Sequence, residues 1–293
     1  GVKFPLRSKC CDITEKNSKY EGILIGGKSV GNVKVSKSMK FSADRIPKWG
    51  WILLSLFTAI VVWTILSVIP STARSFPNII EVSKSLQIMI ERDVLMKDIL
   101  SSSSSVVVGF IIGFMLALPI AILMSWYRPV RYIIEPWIQF IRNIPPLAYV
   151  PLVVISVGVG KTPQIIVITI ATFLIMTITI FQGVNNINPM LIKAARVLGA
   201  KDKDIFMKVI VPASLPFILT AIRLGTAVAL TSLIAAESTG ATAGLGMRIK
   251  ALNNTFESSP MLLYIIIIGV VGLIFEQLVK LLERKLTGWQ EKV

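Results

Sequence analysis

The sequence predicts an all-α, polytopic membrane protein with six transmembrane helices and one long helical loop between the fourth and fifth. Three observations predict it. Apolar residues make up 54% of the 293, and mean hydropathy is +0.73. A soluble domain of this length needs far more charge to cover its surface, and here only 16% of residues are charged. The apolar residues also come in long runs, with Lys and Arg collected between them. That is the arrangement of loops facing anionic lipid, and it separates the net charge of +15 from that of a nucleic-acid-binding protein, whose basic residues interleave with aromatic readers.

Residues 1–48 are polar and rich in lysine, with no apolar core of signal-peptide length, and read as a poorly ordered basic cytoplasmic tail. Its adjacent Cys10 and Cys11 cannot easily bridge each other and read as reduced and incidental; a labile thiol pair or a metal ligand is the alternative. The first span is Trp49–Ile69, closed by Pro70, with Trp49 and Trp51 suited to an aromatic belt. Residues 71–100 mix Ile79, Val82, Leu86 and Met89 with Glu81, Lys84, Glu91 and Asp93. This is an amphipathic helix at the membrane surface or a solvated linker helix.

The second span runs from about Ser103 to Met124. Ser101–Ser105 supplies a cap and a polar start, and Gly109 with Gly113 lets another helix approach closely. A third, interrupted span follows a polar stretch and covers 144–157, where Pro145, Pro146 and Pro151 break helical bonding. Irregular backbone at membrane depth is tolerated inside protein or beside a water-filled path, so Pro145, Pro146 and Tyr149 are candidates for a pathway wall. The remaining spans are 164–183, 216–236 and 261–281, the last ending with an i,i+4 pair of Glu276 and Lys280.

Six spans place both termini on one side. Seven basic residues (Arg74, Lys84, Arg92, Lys97, Lys161, Arg248 and Lys250) fall on the other side, against the remaining 24 of 31, so both termini are expected in the cytoplasm. Histidine is absent, which removes histidine triads, bases and metal sites. Gly158-Val159-Gly160-Lys161-Thr162 resembles the end of a phosphate-binding loop, but Ile155 stands where that loop needs its first glycine, and the segment lies between apolar runs. It reads as a connecting turn, leaving the chain with no nucleotide site and no cofactor of its own.

The loop 185–216 carries most of the information. Asn188 can cap a helix with Pro189 in its first turn; Leu191, Ile192, Ala195 and Leu198 form an apolar stripe, and Gly199 is placed to end it. Asp202 can cap a second helix with Ile205, Phe206 and Val209 on one face, stopped by Pro212. Two short amphipathic helices outside the bilayer present their apolar faces to a protein partner or to the lipid surface.

Lys193-Ala194-Ala195-Arg196-Val197-Leu198-Gly199, nine residues, then Val209-Ile210-Val211-Pro212 resembles the EAA loop of binding-protein-dependent ABC importer permeases, with Lys193 where the family usually has glutamate. The resemblance runs from about Trp51 to Arg284. Arg142–Ala148 and Ala235-Ala236-Glu237 are similar to segments of the branch that imports sulfonates, taurine, nitrate and bicarbonate. It implies a transmembrane domain over 49–285 and a short cytoplasmic tail over 286–293. It further implies that Lys193, Ala194, Ala195, Arg196, Gly199, Ala200, Phe206 and Pro212 couple to an ATP-hydrolysing cassette subunit, which binds the ATP. An external substrate-binding protein and a second, identical permease chain complete the implied assembly.

Glu237 near the end of the fifth span either lines the pathway or fixes helix packing. Gly240, Gly244 and Gly246 after it form a gate or a plain loop. Arg223, one helical run earlier, is expected to snorkel to the interface. An ion-coupled secondary transporter is the alternative; it calls for several intramembrane acids and an internal repeat, and only Glu237 and Glu276 qualify. A membrane enzyme is the third possibility, and no nucleophile with a base or carboxylate cluster supports it.

Overall fold

The structure, a computed structural model, describes residues 48–286; the basic tail with Cys10 and Cys11, and residues 287–293, lie outside the described residues. Among the described residues all regular structure is helical. Internal contacts separate residues 1–53 from 54–293, and α1 (Lys48–Val68) crosses that boundary. It carries no charge after Lys48 and exposes Phe57, Ile60 and Ile65 around its circumference, as a helix surrounded by lipid does.

Within the second unit, α2 (Ile79–Glu91) starts where the Asn78 side chain accepts a hydrogen bond from the Ile80 amide at 3.2 Å. A left-handed Asp93 turns the chain into α3 (Val94–Trp126). That helix begins well before the apolar run that defined the second span. Ser101–Ser105 therefore lies inside a helix and does not start one, and its buried hydroxyls are free to bond across helices.

Three long helices form the centre: α3, α6 (Lys161–Asn185) and α9 (Val211–Gly240). The glycine pair on α3 sets the spacing to α6. A Cβ on Gly113 would lie 2.1 Å from Thr172 Oγ1, and one on Gly109 would lie 2.8 Å from Ile168 Cβ. The Thr169 hydroxyl also donates to the Gly109 carbonyl at 3.2 Å. Small residues thus allow the close van der Waals packing that holds helices together where lipid gives no hydrophobic drive. Ala117, Ala121, Met124, Ile178, Phe181 and Ala221 fill the core below this contact.

The third span is broken. α4 (Arg128–Arg142) and α5 (Pro146–Val157) meet at a 100° bend. Pro145 and Pro146 cannot extend α4, because neither can donate a backbone bond to the preceding turn. α5 has 12 residues, a rise of about 18 Å that is too short to cross a bilayer alone. Among the described residues, five helices are long and apolar enough to cross, or six when α4 and α5 count as one.

The second half of the long loop also differs from its expected form. Lys201, not Asp202, takes the cap position of α8 (Asp202–Ile205), and no side chain caps it. Pro212 does not stop the helix. Residues Phe206–Ile210 form a π-helical turn, and the Val211 amide donates to the Phe206 carbonyl five residues back. The π turn absorbs the register change, so Pro212 enters in the first turn of α9, where a missing amide costs little. The path from Asp202 to Gly240 is therefore one helical run of 39 residues. Beyond it come α10 (Leu245–Asn254) and α11 (Ser258–Leu286), which pack on each other, with α2 lying on α11.

Candidate functional site

Three regions hold the candidate residues. The first is the loop helix α7 (Pro189–Val197), which is defined at both ends by local chemistry. Asn188 Oδ1 accepts from the Met190 amide at 2.9 Å. At the other end the Gly199 amide donates to the Arg196 carbonyl at 3.0 Å and the Ala200 amide to the Ala195 carbonyl at 3.1 Å. With Gly199 at φ +80, this is the Schellman closure. A Cβ on Gly199 would meet nothing within 4 Å, so backbone conformation, not space, favours glycine there.

No residue of α7 is buried; Lys193, Ala194 and Arg196 are exposed and Ala195 half-buried. Val197 and Leu198 are 88% and 86% exposed, an apolar tip with nothing on it. Arg196 approaches Asp202 at 3.6 Å, but both are mostly exposed and the pair adds little. What fastens the loop to the bundle is apolar: Ile205 is buried, and the Phe206 ring meets Trp126 of α3 edge to face at 5.4 Å. A cavity of about 260 Å³ beside this contact lies between the ends of α3 and α6 and the loop.

The second region is a cavity of about 220 Å³ at the α4–α5 bend. Pro146 and Tyr149 line it from α5, Leu174 from α6, Val228 and Thr231 from α9, and Arg142 supplies its one charged group. Pro145, exposed beside it, sets the bend. Of the candidate pathway residues, Pro146 and Tyr149 meet here, while Glu237 and Gly240 do not.

Glu237 belongs to the third region, a buried polar knot at the far end of α9. Its side chain is 1% exposed. Oε1 accepts from the Ser102 hydroxyl and Oε2 from the Gly246 amide, both at 2.7 Å. Ser102 Oγ in turn accepts from the Leu245 amide at 2.9 Å. Asp98, equally buried, takes the Gly244 amide at 3.0 Å on one oxygen. Its other oxygen accepts from Arg248 Nε and from the Tyr264 hydroxyl, each at 3.0 Å. Burial alone would weaken the Arg248 charge, but the Asp98 contact holds its pKa above the usual range.

The first amides of α10 thus point at two carboxylates, which matches the positive end of its dipole. Gly244 has φ +139, and a Cβ on it would lie 2.2 Å from Glu237 Oε1. Gly240 ends α9: its carbonyl accepts from the Gly160 amide at 2.8 Å, and it packs on Val154 of α5. That bond occupies an amide of the apparent phosphate loop, which is a turn between α5 and α6.

Sequence reasoning missed Asp98, Ser102, Arg248 and Tyr264. Asp98 was indistinguishable from the polar residues of a surface helix, and the serine run looked like low complexity. Arg223 does not simply snorkel; it pairs with Glu283 of α11. Lys280 and Glu276 form their expected i,i+4 pair at 2.7 Å. Among the described residues no group of three His, Cys, Asp or Glu side chains could hold a metal.

The family described as binding-protein-dependent transport system inner membrane component matches residues 109–288. A probable ABC transporter permease protein of Brucella abortus (strain 2308) is 40% identical over 85% of this chain and 98% of its own length. The taurine transport system permease protein TauC of Escherichia coli (strain K12) is 33% identical over 68% of this chain and 72% of its own. Among solved structures, an amino acid ABC transporter with histidines aligns at TM-score 0.58 and 21% identity, covering 68% of this chain and 97% of that one.

Proposed function

The chain belongs to the binding-protein-dependent transport system inner membrane component family, and from that premise we propose that it is the permease of an ATP-driven importer for a small anionic solute. The observation that carries the reading is α7. It is a helix closed by its own caps, held off the bundle, with Val197 and Leu198 bare at its tip. Such a tip costs solvation unless a partner covers it. The partner we assign is a cytoplasmic ATP-hydrolysing subunit, and the charge asymmetry supports placing both termini on that side. The chain itself supplies no ATP site; ATP is bound by the partner.

Asp202–Gly240 begins beside the docking helix and crosses to the far side, so displacement of the loop has a continuous element to act through. A second copy of the chain completes the pathway, and an external binding protein delivers the solute. The cavity at the α4–α5 bend, lined by Pro146 and Tyr149 with Arg142 as its charge and Pro145 setting the bend beside it, is the pathway segment within this chain. A lone cation in an apolar wall favours an anionic group, and taurine, aliphatic sulfonates and bicarbonate, for which relatives are named, each carry one. Glu237, enclosed in the knot, is a packing residue in this account, and Gly240 is a helix junction.

The test is purification of the chain with its membrane partners. An ATPase subunit is expected to accompany it, and Val197→Glu with Leu198→Glu is expected to release that subunit while the chain still inserts. Retention of the ATPase by the double variant would count against docking through α7.

A further inference from the structure

We propose that the buried knot of Asp98, Ser102, Glu237, Arg248 and Tyr264 is a positioning device of the transport cycle: it makes α10 a rigid extension of α3 and α9, so that movement at the docking loop is delivered to the outer mouth. The inference rests on the permease reading and extends it to residues outside the docking loop and the cavity.

The same two elements are pinned together at both ends. At the inner end Phe206, on the Asp202–Gly240 run, packs against Trp126 at the last turn of α3. At the outer end Glu237, on the same run, accepts from Ser102 near the start of α3. A run of 39 residues is about 58 Å long, enough to reach from one side of a membrane to the other. Two stiff helices joined at both ends move as one body.

The knot then hands that body to α10. The amides of Gly244, Leu245 and Gly246 are each taken by a side chain of α3 or α9: Asp98, Ser102 and Glu237. Arg248, one turn into α10, is tied to Asp98, and Tyr264 brings α11 to the same carboxylate. A plain external loop needs none of this, because water would satisfy its amides. Burying two carboxylates at a helix junction is costly unless every oxygen is occupied, and here every one is. Side-chain bonds of this number resist rotation of α10 about the Ala241–Gly244 turn. Gly160 bonded to Gly240 brings the end of the pathway helix α5 to the same junction. The residues act through α10 and not on the solute, so they position and do not bind.

The experiment uses the permease with its ATPase partner in nanodiscs, carrying Cys10→Ser and Cys11→Ser so that the one spin label on this chain sits at Lys250→Cys, an exposed site on α10. In the assembly of two copies the label reports the distance between the two α10 helices. With the native knot, ATP with vanadate is expected to shift one narrow distance distribution to another. Arg248→Gln, at the half-exposed rim of the knot, is expected to broaden the distribution and reduce the nucleotide-driven shift at least ~5-fold, while ATP hydrolysis and partner association persist. Asp98→Asn is expected to do the same, and Arg248→Lys to restore part of the shift. Should Asp98→Asn fail to insert, Arg248→Gln decides. A full shift retained in Arg248→Gln overturns the inference and leaves the permease reading standing. Absence of any distance between copies in the native chain would sink both.

Discussion

At one end of α9 the chain leaves apolar side chains in the open; at the other it buries two carboxylates and spends three side chains and two backbone amides on their bonds. The helix α7, which we assign to docking, is shaped by bonds within a few residues of one another: Asn188 to Met190, Ala200 to Ala195. Apart from the Gly246 amide, nine positions from Glu237, the knot is held by bonds between residues 135 to 166 positions apart. A surface that waits for a partner must hold its shape alone, and short-range caps do this cheaply. A junction that must stay fixed while the rest moves is better tied to several helices at once. The difference separates a replaceable contact from a permanent one.

Three substitutions can break that comparison, and their expected effects fall in size from the knot to the loop. Gly244→Ala should be the most damaging. The new Cβ would lie 2.2 Å from Glu237 Oε1 on a backbone at φ +139, so the carboxylate must leave its partners. Unsatisfied buried groups and lost charge-assisted bonds cost about 1–3 kcal/mol each, and thermal unfolding in detergent should show a clear drop in midpoint. An unchanged midpoint would mean that the knot is loosely held.

Gly199→Ala should be milder and different in kind. Nothing crowds the site, so only the left-handed conformation is penalised, by about 1–2 kcal/mol. The bundle midpoint should hold while ATPase co-purification weakens; a fall in midpoint as large as that of Gly244→Ala would erase the distinction between the two ends. Arg196→Ala should do least. Its pair with Asp202 at 3.6 Å is exposed, and such pairs contribute about 0–1 kcal/mol. The bundle midpoint should not change; a loss of ATPase association at low salt would report the contact of Arg196 with the partner and not its pair with Asp202.

The same contrast explains what could be read in advance. The loop was legible because its determinants are local: Asn188-Pro189 before an apolar stripe and Gly199 after it specify a capped helix wherever it sits. Gly109 and Gly113 were legible as a packing face, though not the partner, which is α6. Pro145-Pro146 announced a broken span but not the 100° angle, which depends on α4 packing across α3 and α6. Pro212 misled, because a proline stops a helix only where no alternative bonding absorbs it, and the π turn at Phe206–Ile210 supplies one. The knot was illegible apart from Glu237. Asp98 and Arg248 lie 150 positions apart, and nothing in the spacing of either marks the other as its partner.

In the proposed function, ATP hydrolysed on a partner subunit, and not an ion gradient, drives solute through this chain. The direct measurement is uptake of labelled taurine, an alkanesulfonate and bicarbonate into proteoliposomes. These hold the chain and its co-purified ATPase, with the cognate binding protein in the outer medium and ionophores collapsing all gradients. Uptake of at least one of these solutes is expected to require enclosed ATP and to be lost in the Val197→Glu, Leu198→Glu double variant. Uptake by the chain alone, driven by a proton or sodium gradient without ATP, would contradict it.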